Sequence, residues 1–90
     1  MRHKFHNKQY NINFVPPSQI KKLDGDCDAP HICGKTIRIA KGLPEERQLT
    51  VLIHESLHAC NWTLDEEWVT KSAEDISALL RRLGWRRDHK

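Results

Sequence analysis

The stretch Ile53-His54-Glu55-Ser56-Leu57-His58 constrains this chain more than any other. It is an H-E-x-x-H pattern, and Leu49, Leu52, Ile53, Leu57 and Cys60 recur around it at helical spacing. Residues four apart on a helix share one face, one turn apart, so His54 and His58 offer two imidazoles to one point. That arrangement suits a Zn²⁺ ion. Glu55, beside them, can reach a metal-bound water without ligating the metal.

A helix carrying this motif needs a start, a stop and a partner. Leu43-Pro44-Glu45-Glu46 starts it, with proline tolerated in the first turn and acids favoured by the helix dipole. Asn61 can end it as a left-handed C-cap. Thr63-Leu64-Asp65-Glu66 opens a second helix, with Thr63 or Asp65 as N-cap. Its stripe is Trp68, Val69, Ser72, Ile76, Leu79, Leu80 and Leu83, and Gly84 stops it. Trp62, Trp68 and Trp85 can build either a core or a dimer patch, with core the favoured reading and Trp85 folding back.

Upstream, Lys8 to Val15 alternates. Tyr10, Ile12 and Phe14 point one way, and Asn11 and Asn13 the other, as in a half-buried strand that Pro16-Pro17 ends. Asp24-Gly25-Asp26-Cys27-Asp28 reads as a turn. Lys35 to Ala40 is a second strand, with Ile37 and Ile39 inward and Thr36 and Arg38 outward. The expected class is α+β: a small antiparallel sheet of two or three strands, packed on the H-E-x-x-H helix and a C-terminal helix that form an antiparallel hairpin. Residues 1–90 make one domain, with 1–7 and 87–90 frayed.

A catalytic zinc takes three protein ligands and keeps one position open. The third histidine of the long metzincin pattern is absent, because Asn61 and Leu64 stand in its stretch. Asp65, Glu66, Glu67, Glu74 and Asp75 remain. In an antiparallel hairpin centred on Trp62, residues equidistant from the turn lie level. His58 is four residues before Trp62, and Glu66 four after. Glu66 is therefore the favoured ligand, with Glu67 second and Asp65 drawn toward capping. Glu66 has a competing use, a T-x-x-E capping box with Thr63. Thr70 falls opposite His54 as an outer-shell candidate. Cys27, His31 and Cys33 have an unusual spacing for a second zinc and read rather as thiols in a thin core.

The 90 residues are 38% hydrophobic with a mean hydropathy of −0.71, which bounds the core to a small one that bound metal would help stabilise. The net charge is +3, and Arg81, Arg82, Arg86, Arg87 and Lys90 read as a solvated helix end. No apolar run reaches the roughly 18 residues of a membrane span. Met1 to His6 has no apolar signal core, and three cysteines make a poor disulfide framework, so a cytoplasmic location is expected. Acids at the start of the second helix would repel phosphate, which argues against a nucleic-acid partner.

Gly25-Asp26-Cys27-Asp28, Ile37-Arg38-Ile39 and Leu52 to Ala59 resemble the small phage- and prophage-encoded HExxH proteins. So do Leu64 to Val69, Ala73, Asp75-Ile76 and Leu83-Gly84-Trp85-Arg86. The likeness spans about residues 8–87. These proteins look like minimal gluzincins, similar in plan to ImmA/IrrE and SprT-like metallopeptidase domains. The resemblance implies a small antiparallel sheet, a metal helix and a following helix, in the cytoplasm of a phage host. It implies His54, His58 and Glu66 as metal ligands and Glu55 as general base. Larger gluzincins place that glutamate farther along the chain than the eight residues between His58 and Glu66.

The expected function is zinc-dependent hydrolysis of peptide bonds by a zinc-bound water with Glu55 as base. A peptide or protein substrate would lie along the edge of the Lys35–Ala40 strand. His31, Tyr10 and Arg38 are candidate oxyanion partners. The alternative is a non-catalytic, zinc-stabilised phage accessory protein that binds a host protein or nucleic acid. Glu55 and a three-ligand site favour catalysis, since a structural zinc is closed by four ligands.

Overall fold

A computed structural model describes residues 1–21 and 23–87 of the chain. The class is α+β, with four strands followed by a helical hairpin: β1 (Arg2–Phe5), β2 (Lys8–Val15), β3 (Gly25–Cys27), β4 (Thr36–Ala40), α1 (Glu45–Cys60) and α2 (Glu66–Arg82). The sheet order is β1-β2-β4-β3.

The sheet is mixed rather than antiparallel. β1 and β3 run antiparallel to their neighbours, while β2 and β4 pair in parallel, Ile12 opposite Ile37 and Phe14 opposite Ile39. Alternation then puts Tyr10, Ile12, Ile37 and Ile39 on one face, where Val51 and Ala59 of α1 complete the core. On the other face a 3-10 turn at Pro17–Ile20 covers Val15 and Ala40 with Ile20. Thr36 was expected outward but is buried.

Residues 2–5 are a strand, not a frayed end. His6 and Asn7 both take left-handed backbone (φ 50° and 69°), which closes a two-residue hairpin from Phe5 to Lys8. Main-chain pairing holds the strand regardless of its polar side chains, and the Phe5 ring meets Tyr10 edge-on at 6.0 Å. At the other end, Arg87 donates to Gln48 (2.9 Å) and its guanidinium lies 4.0 Å from the Phe14 ring centre. Residues 88–90 of the expected frayed tail lie outside the described residues.

The end of α1 departs from expectation, while the start of α2 takes one of the two expected caps. Asn61 caps α1 in extended backbone (φ −150°, ψ 100°) rather than left-handed. Asp65 is the N-cap of α2 and accepts from the Trp68 N–H at 2.9 Å. Thr63 bonds Asn61 instead, so no capping box draws Glu66 away. α2 packs chiefly on α1, through the small buried residues Val69, Ala73 and Ser77, and Thr50 donates to Ser77 across the interface at 2.8 Å. This close seam leaves Trp62, Trp68 and Trp85 outside the core, 44%, 53% and 65% exposed.

Candidate metal centre

His54 and His58 lie one turn apart on α1, and Glu66 is the first residue of α2. Nε2 of His54 is 2.8 Å from Oε1 of Glu66, and Nε2 of His58 is 2.8 Å from Oε2. One carboxylate thus meets both imidazoles, one on each oxygen. The Asp65 cap fixes the first turn of α2 and so aims Glu66 across the hairpin. The histidines are mostly buried, while Glu66 stays largely exposed. The ligand atoms of the three residues all lie within 4.8 Å of one another, and among the described residues no other such group forms.

Two imidazole nitrogens and a carboxylate converging on one point are a donor set that fits Zn²⁺. Glu67 is exposed, Asp65 is spent on the cap, and Thr70 is exposed. Cys27, His31 and Cys33 do not assemble into a ligand group: Cys27 is half-buried in β3, and His31 and Cys33 are exposed.

Glu55 sits on a different stripe of α1 from the histidines. With Val51 and Ala59 it forms the buried, sheet-facing row, spaced at i, i+4 and i+8. Burial, then the nearby Glu66 and Asp26 charges, push its carboxyl up to about 7. β3 makes this approach possible. A Cβ on Gly25 would come 2.5 Å from Cγ1 of Val51, 2.9 Å from the Arg38 carbonyl oxygen and 3.5 Å from Cγ of Glu55. Only glycine lets the strand and α1 come this close.

The Asp24–Asp28 stretch, expected as a turn, is an edge strand with its ends tied down. Arg38 reaches from β4 to Asp26 (2.8 Å) and to both oxygens of Asp28 (3.0 and 3.1 Å). Asp28 also accepts from the Thr36 N–H at 2.9 Å. Burial raises the Asp28 carboxyl, but the Arg38 and Thr36 hydrogen bonds outweigh it and hold the group below its ordinary range. Cys27 is pushed up to about 12 by burial and by Glu55, so it stays a protonated thiol at neutral pH.

An open cleft of about 570 Å³ joins these parts, lined by Leu23 to Cys27 on one side and by His54, Glu55, His58, Trp62, Leu64 and Glu66 on the other. None of His31, Tyr10 and Arg38 lines it. Tyr10 is buried and donates to the Asp28 carbonyl, and Arg38 is held by the two aspartates. Among the described residues, the cation at the cleft is Arg47, paired with Asp24 at 2.7 Å. It lies on the histidine face of α1, seven residues before His54, a helical spacing that could have revealed it.

β4 lies between β2 and β3, so it has no free edge for a substrate. The edge beside the cleft belongs to β3. Asp26 pairs with Arg38, and the flanking bonds Ala40 N–H to Asp24 O and Asp28 N–H to Thr36 O also run to β4. Antiparallel alternation therefore turns the main-chain groups of Gly25 and Cys27 outward.

The chain matches no protein-family model, no curated protein and no solved structure. No helix of the described residues is long and apolar enough to cross a membrane.

Proposed function

We propose that the chain is a zinc-dependent metallopeptidase of minimal gluzincin-like plan. His54, His58 and Glu66 hold the metal, and Glu55 is the general base. The observation that carries this reading is the Glu66 carboxylate, which meets both motif histidines at 2.8 Å from the neighbouring helix. When bound, Zn²⁺ supplies Lewis acidity, which acidifies water and polarises a carbonyl.

The protein's own groups do the rest. A peptide aligned on the outward edge of β3, by the Gly25 and Cys27 main chain, lies along the cleft floor. Glu55, held near neutrality by burial, takes the proton of the attacking water and returns it to the departing amine. The buried side of the cleft limits competing solvent around that carboxyl. The three cysteines are free thiols, which fits action in a reducing cytoplasm.

The test is elemental analysis of untagged protein, followed by a peptide-library digest. About one zinc per chain in the wild type and in Glu55→Gln, lost in His58→Ala, with cleavage only by the wild type, supports the reading. No zinc in folded wild type after reconstitution overturns it. Zinc with equal cleavage by wild type and Glu55→Gln removes the assigned role of Glu55. Zinc without cleavage by either leaves a zinc-stabilised binding protein.

A further inference from the structure

β1 and β3 are the two edges of the sheet. β3 lies beside the candidate metal centre. β1 lies at the far side, and among the described residues nothing pairs with its outer edge. The Ile12 N–H donates to the Met1 carbonyl at 2.7 Å. Antiparallel alternation in the β1–β2 register then turns the main-chain groups of His3 and Phe5 toward β2, and those of Arg2 and Lys4 outward. Side chains alternate between the faces as well. Met1, His3 and Phe5 line an apolar groove between the sheet and the helical hairpin, with Leu52 and Trp85 among its other walls. Arg2 and Lys4 take the opposite face, both exposed and about 7 Å apart along the strand.

Charge says what this edge accepts. No aspartate or glutamate precedes Asp24, while Arg2, Lys4, Lys8, Lys21 and Lys22 all do. The whole chain is only +3, so the remainder is net acidic. The residues opposite Arg2 and Lys4 in β2 are Asn11 and Gln9, both neutral. Among the described residues neither cation has an ion-pair partner. A second copy is a poor occupant. Two β1 strands paired antiparallel about His3 set Arg2 opposite Lys4, and like charges directly opposite repel. A phosphate backbone meets the cations but leaves the outward main chain and the apolar flank unused.

We propose that the outer edge of β1 docks an acidic, extended segment of a partner protein, which joins the sheet as a fifth, antiparallel strand. Its main chain pairs with the outward N–H and C=O groups of Arg2 and Lys4. Two carboxylates, two residues apart, stand directly opposite those cationic side chains. The residue between them stands opposite His3, on the groove side, and is apolar. The pattern recognised is acid–apolar–acid. The site is on the other edge of the sheet from the cleft of His54, Glu55 and His58, and it calls for no metal.

The probe is a fluorescein-labelled seven-residue peptide that alternates glutamate with valine, titrated with the full chain and followed by anisotropy. Saturable binding that weakens with added salt is expected. Lysine in place of the glutamates should abolish it. Arg2→Glu combined with Lys4→Glu, at exposed sites and checked for folding by circular dichroism, should weaken the glutamate peptide by roughly tenfold or more and bind the lysine peptide instead. Amide exchange at Arg2 and Lys4 should slow when the glutamate peptide binds, as new main-chain pairing requires. No binding of that peptide to folded wild type overturns the proposal. So does equal binding of the two peptides, or binding that leaves those two amides exchanging as before. A single-stranded oligonucleotide that binds more tightly and displaces the peptide gives the edge to nucleic acid and overturns it likewise.

Discussion

Gly25 and Val51 stand so close that one added methyl on Gly25 would sit 2.5 Å from Cγ1 of Val51. The contact joins the edge strand to α1 one turn before Glu55. Gly25→Ala must therefore push α1 off β3, at a cost of about 1–3 kcal/mol in unfolding free energy. Chemical denaturation measures it. The same displacement opens the wall behind Glu55, so any hydrolysis should fall further than zinc content does.

Zinc affinity should separate the three acids at the start of α2. Glu66→Ala removes a donor and should weaken affinity by more than the roughly 10–100-fold typical of an outer-shell partner. Glu67→Ala should leave it unchanged. Asp65→Ala should cost about 1 kcal/mol through the lost cap, with a smaller loss of zinc affinity as the aim of Glu66 loosens. Competition with a chromophoric chelator reads all three.

In metal-free protein, Glu55 should make stability fall as pH rises. Its carboxyl is raised in the folded state, from 4.5 to about 7. The native form therefore holds its proton more tightly than the unfolded chain does. That contribution is fully present below pH 4.5 and is lost as pH rises through about 7. Glu55→Gln should remove this slope and leave the chelated protein more stable above pH 7, by on the order of 2 kcal/mol. Urea melts at both ends of the window check it.

Asp28 acts with the opposite sign. Its folded carboxyl lies below the ordinary 3.8, because the Arg38 and Thr36 bonds outweigh its burial. Its stabilisation is present above pH 3.8 and is lost as pH falls through the lowered folded value. Asp28→Asn should cost about 1–3 kcal/mol at neutral pH, since it weakens the Arg38 clasp and the Thr36 bond. The variant's acid unfolding should be less steep. Acid titration followed by tryptophan fluorescence would show it.

Much of the arrangement was legible where side-chain pattern decides structure. The H-E-x-x-H helix and the alternation of Lys8–Val15 follow from periodicity, and the level placement of His58 and Glu66 from the symmetry of a hairpin turning at Trp62. The rest depends on main-chain geometry or tertiary context. β1 is made by two left-handed residues, His6 and Asn7, that carry no glycine signal. β3 looks like a turn because its aspartates serve an arginine ten or more residues away. The parallel pairing of β2 and β4 is set by how the chain crosses between them, which alternation within either strand does not encode. The tryptophans deceived because apolar character fixes a preference for burial, not the presence of a neighbour to supply it.

All three proposed donors lie within residues 54–66, on two helices joined by a short loop. β2 and β4, by contrast, must find each other across the intervening 3-10 turn and β3. Short-range contacts form sooner than long-range pairings during folding. The donors should therefore gather while the sheet is still open, and Glu55 should lose its solvent only when β3 closes over it. On the proposed function, the capacity to grip a cation would precede, in the life of each chain, the capacity to use one.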